Sequence, residues 1–185
     1  MQNIEFYNSP KGEVIVSIDG NVGFALSPKN VDIVNMMYDH IKTHYQEAYA
    51  ALTRLYSASA LNTMYYKYRI VSRFARCNFG EYDCAYPDID TDVIFHHEEV
   101  HCPLRGTGDC QLENIVCRPN VTLPLTAQQM KVFRLYSQGL STSDIADVMH
   151  LSVHTIDRHR CDIFQKLNIH SVPELILYSS RNNIK

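Results

Sequence analysis

From Leu125 to the end of the chain, apolar residues recur at helical spacing between short polar breaks, and each break ends on a residue able to cap a helix. Thr126 opens T-A-Q-Q, a capping box in which the Thr hydroxyl accepts a backbone N–H and Gln129 reaches back to the cap, with Leu125 and Met130 as the flanking hydrophobic staple. Ser141 begins a second helix, stapled by Leu140 and Ile145, after Gly139 has closed the first in a left-handed conformation. Ser152 begins a third, stapled by Leu151 and Ile156. Ser171 begins a fourth as S-V-P-E, where Pro173 is tolerated in the first turn and Glu174 completes the box. The pattern predicts an all-α four-helix segment. Its second and third helices are joined by only "MHLS", the spacing of a helix-turn-helix.

On the third of these helices Ile156, Ile163 and Leu167 face a core, with His159 beside them. The opposite stripe is His154, Asp157, Arg158, Cys161 and Gln165, a polar face that suits the major groove of DNA. Taken together, Leu125, Thr126, Gly139, Ser141, Ile145, Ala146, Ser152, Thr155, Ile156, His159, Ile163, Lys166 and Leu167 resemble the pattern of the LuxR/NarL-type DNA-binding domain. The resemblance covers about a third of the chain. It implies a four-helix domain that binds double-stranded DNA through its third helix and often pairs through its fourth. Two residues depart from the family: Gln129 stands where Glu is usual, and Asp157 where a basic residue is frequent. Arg158, Asp157 and Cys161, with His154 on the same stripe, are the candidates for base edges. Thr142, Ser152, Thr155, Arg160 and Lys166 are the candidates for phosphates. A helical interaction module that touches no DNA is the alternative.

The first 120 residues show a different periodicity. "IEFYN" and "EVIVSI", separated by "SPKG", predict a β-hairpin. "SPKNVDIVNMMYDHIKTHYQEAYAALTRLY" predicts one long amphipathic helix, capped by Ser27 ahead of Pro28 and burying Ile33, Met36, Met37, Ile41 and Tyr45. "ALNTMYYKYRIVSRFARC" predicts a second helix, with Tyr65, Tyr66, Tyr68 and Phe74 beside Lys67, Arg69, Arg73 and Arg76. Such a face reads first as packing with a solvated basic side, and second as a site for nucleic acid or an anionic ligand. The expected fold is an α+β N-terminal domain, hairpin plus long helices with a cysteine-rich loop region, over residues 1–120. The all-α helix-turn-helix domain follows over residues 121–185.

Cysteine changes the picture of the first domain. Cys77, Cys84, Cys102, Cys110 and Cys117 fall within 41 residues, accompanied by His96, His97 and His101. In a reducing compartment that density points to a metal site ahead of structural disulfides. Gly106 and Gly108 let "CPLRGTGDC" double back, bringing Cys102 and Cys110 together. Cys77, Cys102, Cys110 and Cys117 are the expected ligands, with Cys84 or His101 in reserve. Zinc is the first expectation for the metal and an iron–sulfur cluster the alternative. Buried thiols acting as small hydrophobes, and a regulatory disulfide, are the readings without metal.

The stretch "HHEEVHCP" also contains H-E-x-x-H, the zinc-protease signature, at His97, Glu98 and His101. That motif needs a helix to place both imidazoles on one face. Here β-branched and turn residues precede it and Pro103 follows Cys102, so an extended chain is expected, with the two histidines about 13 Å apart. A protease is not expected.

Charge sharpens the division. Residues 1–120 hold 10 Lys/Arg against 15 Asp/Glu and residues 121–185 hold 7 against 5, so the net charge of -3 conceals a basic C-terminal part. Pro119 and Pro124 bracket the connector. No apolar run suits a membrane span, no basic-then-apolar leader opens the chain, and no alternating strand–helix pattern of a receiver domain appears. The expectation is a cytoplasmic transcription regulator, a homodimer on DNA with no membrane partner, which also contacts RNA polymerase in one version. The rivals are a metalloenzyme with a DNA-tethering tail and an adaptor that binds polymerase or a sigma factor.

Overall fold

The computed structural model describes residues 2–80, 86–91, 95–181 and 184. The chain divides into two compact units, Met1–Asn120 and Val121–Lys185.

The first unit opens with a three-stranded antiparallel sheet in the order β1 (Ile4–Asn8), β2 (Val14–Ile18), β3 (Phe24–Ala25). Ile4 pairs with Ile18 and Asn8 with Val14, so Ile4, Phe6, Val14 and Val16 are buried together. The sequence pattern had not indicated β3. The chain beyond the helices adds isolated bridges, Ile4 with Ile89 and Ile89 with Phe95.

The long helix expected from Ser27 to Tyr56 is two helices, α1 (Val31–His44) and α2 (Gln46–Leu55). Between them Tyr45 leaves helical geometry at φ -130°, ψ 59°. The break has a tertiary cause: Tyr45 is buried, its hydroxyl lies 2.7 Å from His97 Nε2, and its ring packs edge-on to that imidazole. The cap also moves from Ser27 to Asn30, whose Oδ1 accepts from the Ser27 amide and hydroxyl and closes a turn around Pro28. The buried stripe of α1 is accordingly Val34, Met37 and Ile41, leaving Ile33 and Met36 half-covered.

Helix α3 (Thr63–Asn78) is capped by Asn62 and buries Ile70, Val71, Phe74, Ala75 and Asn78. Against it sits an aromatic cluster: His97 stacks on Phe79 at 5.1 Å, and His40 stacks on Phe95 at 3.7 Å. Burial, then the neighbouring His44 and His97, drives the pKa of His40 down to about 3. Burial, then His96, lowers that of His97 to about 4.

Among the described residues the second unit contains α4 (Ala127–Ser137), α5 (Thr142–Met149), α6 (Val153–Leu167) and α7 (Val172–Arg181). Val132, Phe133, Tyr136, Ile145, Ile156, Ile163 and Leu175 form its core.

Candidate nucleic-acid interface and candidate metal centre

Local chemistry positions α6. Ser141 caps α5 in a box with Asp144, and the Asp144 carboxyl is held below its usual pKa by the hydrogen bonds from Ser141. Helix α5 ends on His150, at φ 54° in the left-handed region, which turns the chain within residues 150–152. Ser152 then caps α6 through the Thr155 amide. Behind α6, Ile156 and Ile163 are fully buried. In front, His154, Arg158, Cys161 and Gln165 are exposed on one stripe.

The other expected DNA contacts divide by their existing partners. Asp157 is half-buried and paired with Arg160 across one turn at 3.1 Å, so its carboxylate does not stand as a bare charge on the outward face. The Thr142 hydroxyl lies 2.9 Å from that of Tyr136, and the hydroxyls of Ser152 and Thr155 are 2.8 Å apart. Lys166 Nζ donates to Gln129 Oε1 at 2.7 Å, tying the end of α6 to the cap of α4. That same oxygen accepts from the Thr126 amide, while Gln129 Nε2 donates to Asp162 Oδ2 at 3.3 Å. The family's usual Glu at this position could not donate to Asp162; the amide of Gln129 satisfies the cation, the cap and the carboxylate at once. At α7 the Ser171 hydroxyl caps the Glu174 amide, but the Glu174 carboxylate reaches past the cap to the His170 amide.

In the first unit, the cysteine region is organised by Asn78. Its Nδ2 donates to the carbonyls of Phe74 and Val116, and its Oδ1 accepts from the Arg118 amide, so one buried amide grips the backbone on both sides of Cys117. This sets Cys117 within hydrogen-bonding reach of Cys77, one residue before Asn78 on α3. The Cys77 thiol is pushed up to about 12 by burial, with Cys117 and Cys102 adding to the shift and the Arg73 guanidinium opposing it. Arg73 Nη2 donates to Cys110 Sγ at 3.7 Å. The four expected ligands therefore lie near the end of α3, where Arg73 interacts with Cys77 and Cys110.

The loop that brings Cys102 and Cys110 there turns at Gly106 and Gly108, both at φ 79°. It is closed by Glu113 Oε1 on the Gly106 amide at 2.7 Å and anchored by buried Leu112 and Val116. Among the described residues no three of these sulfurs lie within 4.8 Å of one another. Four thiolates on one zinc stand about 3.8 Å apart. The donor chemistry fits a thiophilic metal; closure on a single ion requires the loop to tighten, whereas thiolates bound to separate irons tolerate wider spacing. Cys84 lies outside the described residues.

His101 is exposed, and residues 96–101 contain no helix. His97 lies 2.7 Å from the Tyr45 hydroxyl, and among the described residues His97, Glu98 and His101 form no group of ligand atoms within 4.8 Å. The cluster of ligand-capable atoms that does lie within 4.8 Å, Glu5, Asp88 and Glu98, went unnoticed in the sequence because its members are 83 and 10 positions apart. Asp88 is nearly fully buried and accepts from the Phe6 amide at 2.6 Å, a structural role.

A capped helix, a left-handed turn and a second capped helix with a polar outer stripe define a helix-turn-helix unit. In agreement, residues 123–179 match the family described as bacterial regulatory proteins, luxR family, and form a domain of that family. Similar proteins include the fimbriae Z protein of Salmonella typhimurium, 37% identical over 62 residues that make up 34% of this chain and 30% of that protein. BvgA, a virulence-factor regulator of Bordetella pertussis, is 42% identical over 60 residues, 32% of this chain and 29% of that protein. The oxygen regulatory protein NreC of Staphylococcus carnosus is 32% identical over 60 residues, 32% of this chain and 28% of that protein. The matched segment thus spans less than a third of each of these relatives and lies in the second unit. No solved structure matches the chain significantly. Among the described residues no helix is long and apolar enough to cross a membrane.

Proposed function

We propose that this protein is a sequence-specific DNA-binding transcription regulator that places α6 in the major groove. The observation that carries the reading is the stripe His154, Arg158, Cys161 and Gln165, exposed on a helix whose other side is locked into the core of a luxR-family domain. Arg158 is the residue best suited to a guanine edge, with His154 and Cys161 beside it. Thr142, Ser152, Thr155, Arg160 and Lys166 flank the groove and position the domain against phosphates. Asp157 acts through Arg160 rather than directly on a base.

With a charge of only +2 in residues 121–185, one domain binds weakly, and two copies on a two-fold site about 34 Å apart compensate. Ile176 and Leu177, exposed on α7, supply an apolar strip for pairing. Residues 1–120 form the regulatory part, in which Cys77, Cys102, Cys110 and Cys117 hold a metal centre, zinc or, alternatively, an iron–sulfur cluster; the grouping of these thiols near the end of α3 supports the reading. Its gain or loss reorganises the loop between Cys102 and Cys117.

The test is selection of bound sequences from a random DNA pool, followed by affinity measurements with Arg158→Ala. The expected result is an inverted-repeat site whose discrimination over random DNA falls by about 1–3 kcal/mol in the variant. Absence of any selected sequence, with the domain folded, would overturn the DNA reading in favour of an adaptor that contacts polymerase.

A further inference from the structure

The outer face of α3 carries a pocket that the functions above do not use. It has a volume of about 230 Å³ and is lined by Tyr56, Tyr65, Tyr68, Arg69, Ser72, Arg73 and Arg76. Three arginines thus converge on one cavity of a unit whose overall charge is -5. Among the described residues none of the three has a carboxylate within ion-pairing distance. Their partners are all neutral: Arg69 Nη1 donates to Ser59 Oγ at 3.0 Å, Arg73 Nη2 to Cys110 Sγ at 3.7 Å, and Arg76 Nη2 to the Gly12 carbonyl. Arg73 Nε is buried and has no hydrogen-bond partner. The Arg69 guanidinium lies over two rings, 4.3 Å from the centroid of Tyr56 and 5.9 Å from that of Tyr65, contacts that restrain its fork.

We infer that this pocket binds the phosphate group of a small phosphomonoester. Guanidinium forks match phosphate oxygens two at a time, and a monoester brings close to two negative charges and three strong acceptors. The site offers that complement: three cations, the Ser72 hydroxyl and three phenols that make no hydrogen bond to described residues, with no fixed anion among the lining residues to repel the ligand. The tyrosine rings beside the arginines favour an ester whose organic part is flat. Arg73 belongs both to this pocket and to the cysteine cluster, so an occupied pocket draws a cation away from Cys110.

The experiment is isothermal titration of the full chain with phenyl phosphate, inorganic phosphate and, as a neutral control, phenol. Saturable binding of phenyl phosphate, weaker binding of inorganic phosphate and none of phenol are expected. Arg69→Gln and Arg76→Gln should each weaken phenyl phosphate about tenfold or more, Tyr65→Phe about threefold without threatening the fold, and Arg54→Gln, exposed on α2, not at all. No saturable binding up to about 10 mM, or equal affinity in all variants, would overturn the proposal. So would a loss of sequence-independent DNA affinity in Arg69→Gln without phenyl phosphate binding in the parent, which assigns the arginines to phosphodiester contacts instead. None of these outcomes depends on the Arg158 result, so this site and the DNA reading fail separately.

Discussion

The side-chain amide of Asn78 donates to the carbonyl of Val116 at 2.9 Å and receives the Arg118 amide at 3.3 Å, so a buried amide presents Cys117 to Cys77. Asn78 also returns a bond to its own helix at Phe74. One buried side chain thereby joins the C-terminal turn of α3 to the end of the cysteine loop.

Asn78→Ala should therefore destabilise the first unit by about 2 kcal/mol or more, because the Val116 carbonyl and the Arg118 amide are left without this partner. Ten of the twelve tyrosines lie in residues 1–120 and the chain has no tryptophan, so tyrosine fluorescence in urea reads this unit selectively. An unchanged midpoint would show that the clamp carries no stability.

Metal bound to the cysteines should appear when protein is purified without air and without a histidine tag. Iron with acid-labile sulfide and visible absorption is expected for a cluster, and about one zinc per chain for a closed tetrahedral site. Cys77→Ser and Cys117→Ser should each abolish the stoichiometric metal, and chelation should lower the thermal midpoint of the parent. An elemental content near zero in the parent would remove the metal reading.

Acid should destabilise the first unit before its carboxylates titrate. The folded pKa values of His40 and His97 lie at about 3 and about 4, below the 6.5 of the unfolded chain. Above pH 6.5 both imidazoles are neutral in either state and burial costs nothing in protonation. Between pH 6.5 and about 4 the unfolded state binds protons that the folded state excludes, and stability falls by up to about 1.4 kcal/mol per pH unit for each histidine. His97→Gln, read by urea midpoints at pH 7 and pH 5, should shrink this difference; an identical slope would assign it elsewhere.

Gln129→Glu should destabilise the second unit by about 1 kcal/mol, since a carboxylate there faces Asp162. The combined Gln129→Glu/Asp162→Asn protein should recover most of the loss, because an amide at 162 can donate back. Additive effects in this cycle would mean that the two side chains do not interact.

The legible parts of the fold are those whose cause is local. The caps at Thr126, Ser141 and Ser152, the left-handed Gly139 and the pairing of "IEFYN" with "EVIVSI" follow from residues within a few positions of one another. Even there the reach was limited at Glu174, which bonds the amide of His170 rather than that of Ser171. The outward stripe of α6 was readable because helical periodicity alone separates Arg158 from Ile156.

The break at Tyr45 was not readable, because nothing in the α1–α2 stretch disfavours a continuous helix. The decision comes from His97, 52 residues away, which takes the Tyr45 hydroxyl into the core. Likewise the convergence of Arg69, Arg73 and Arg76 on one cavity follows from helical spacing, but that their partners among the described residues are the neutral Ser59, Cys110 and Gly12 depends on what the rest of the unit brings near. By itself the sequence determined the starts of α4, α5 and α6, the hairpin, the helix-turn-helix and the crowding of cysteines, since each is encoded in short-range spacing. Tertiary structure alone decided that Arg73 bonds Cys110, where the long helix breaks and how Asp157 and Lys166 are already engaged, because each depends on the partner that packing places opposite a side chain.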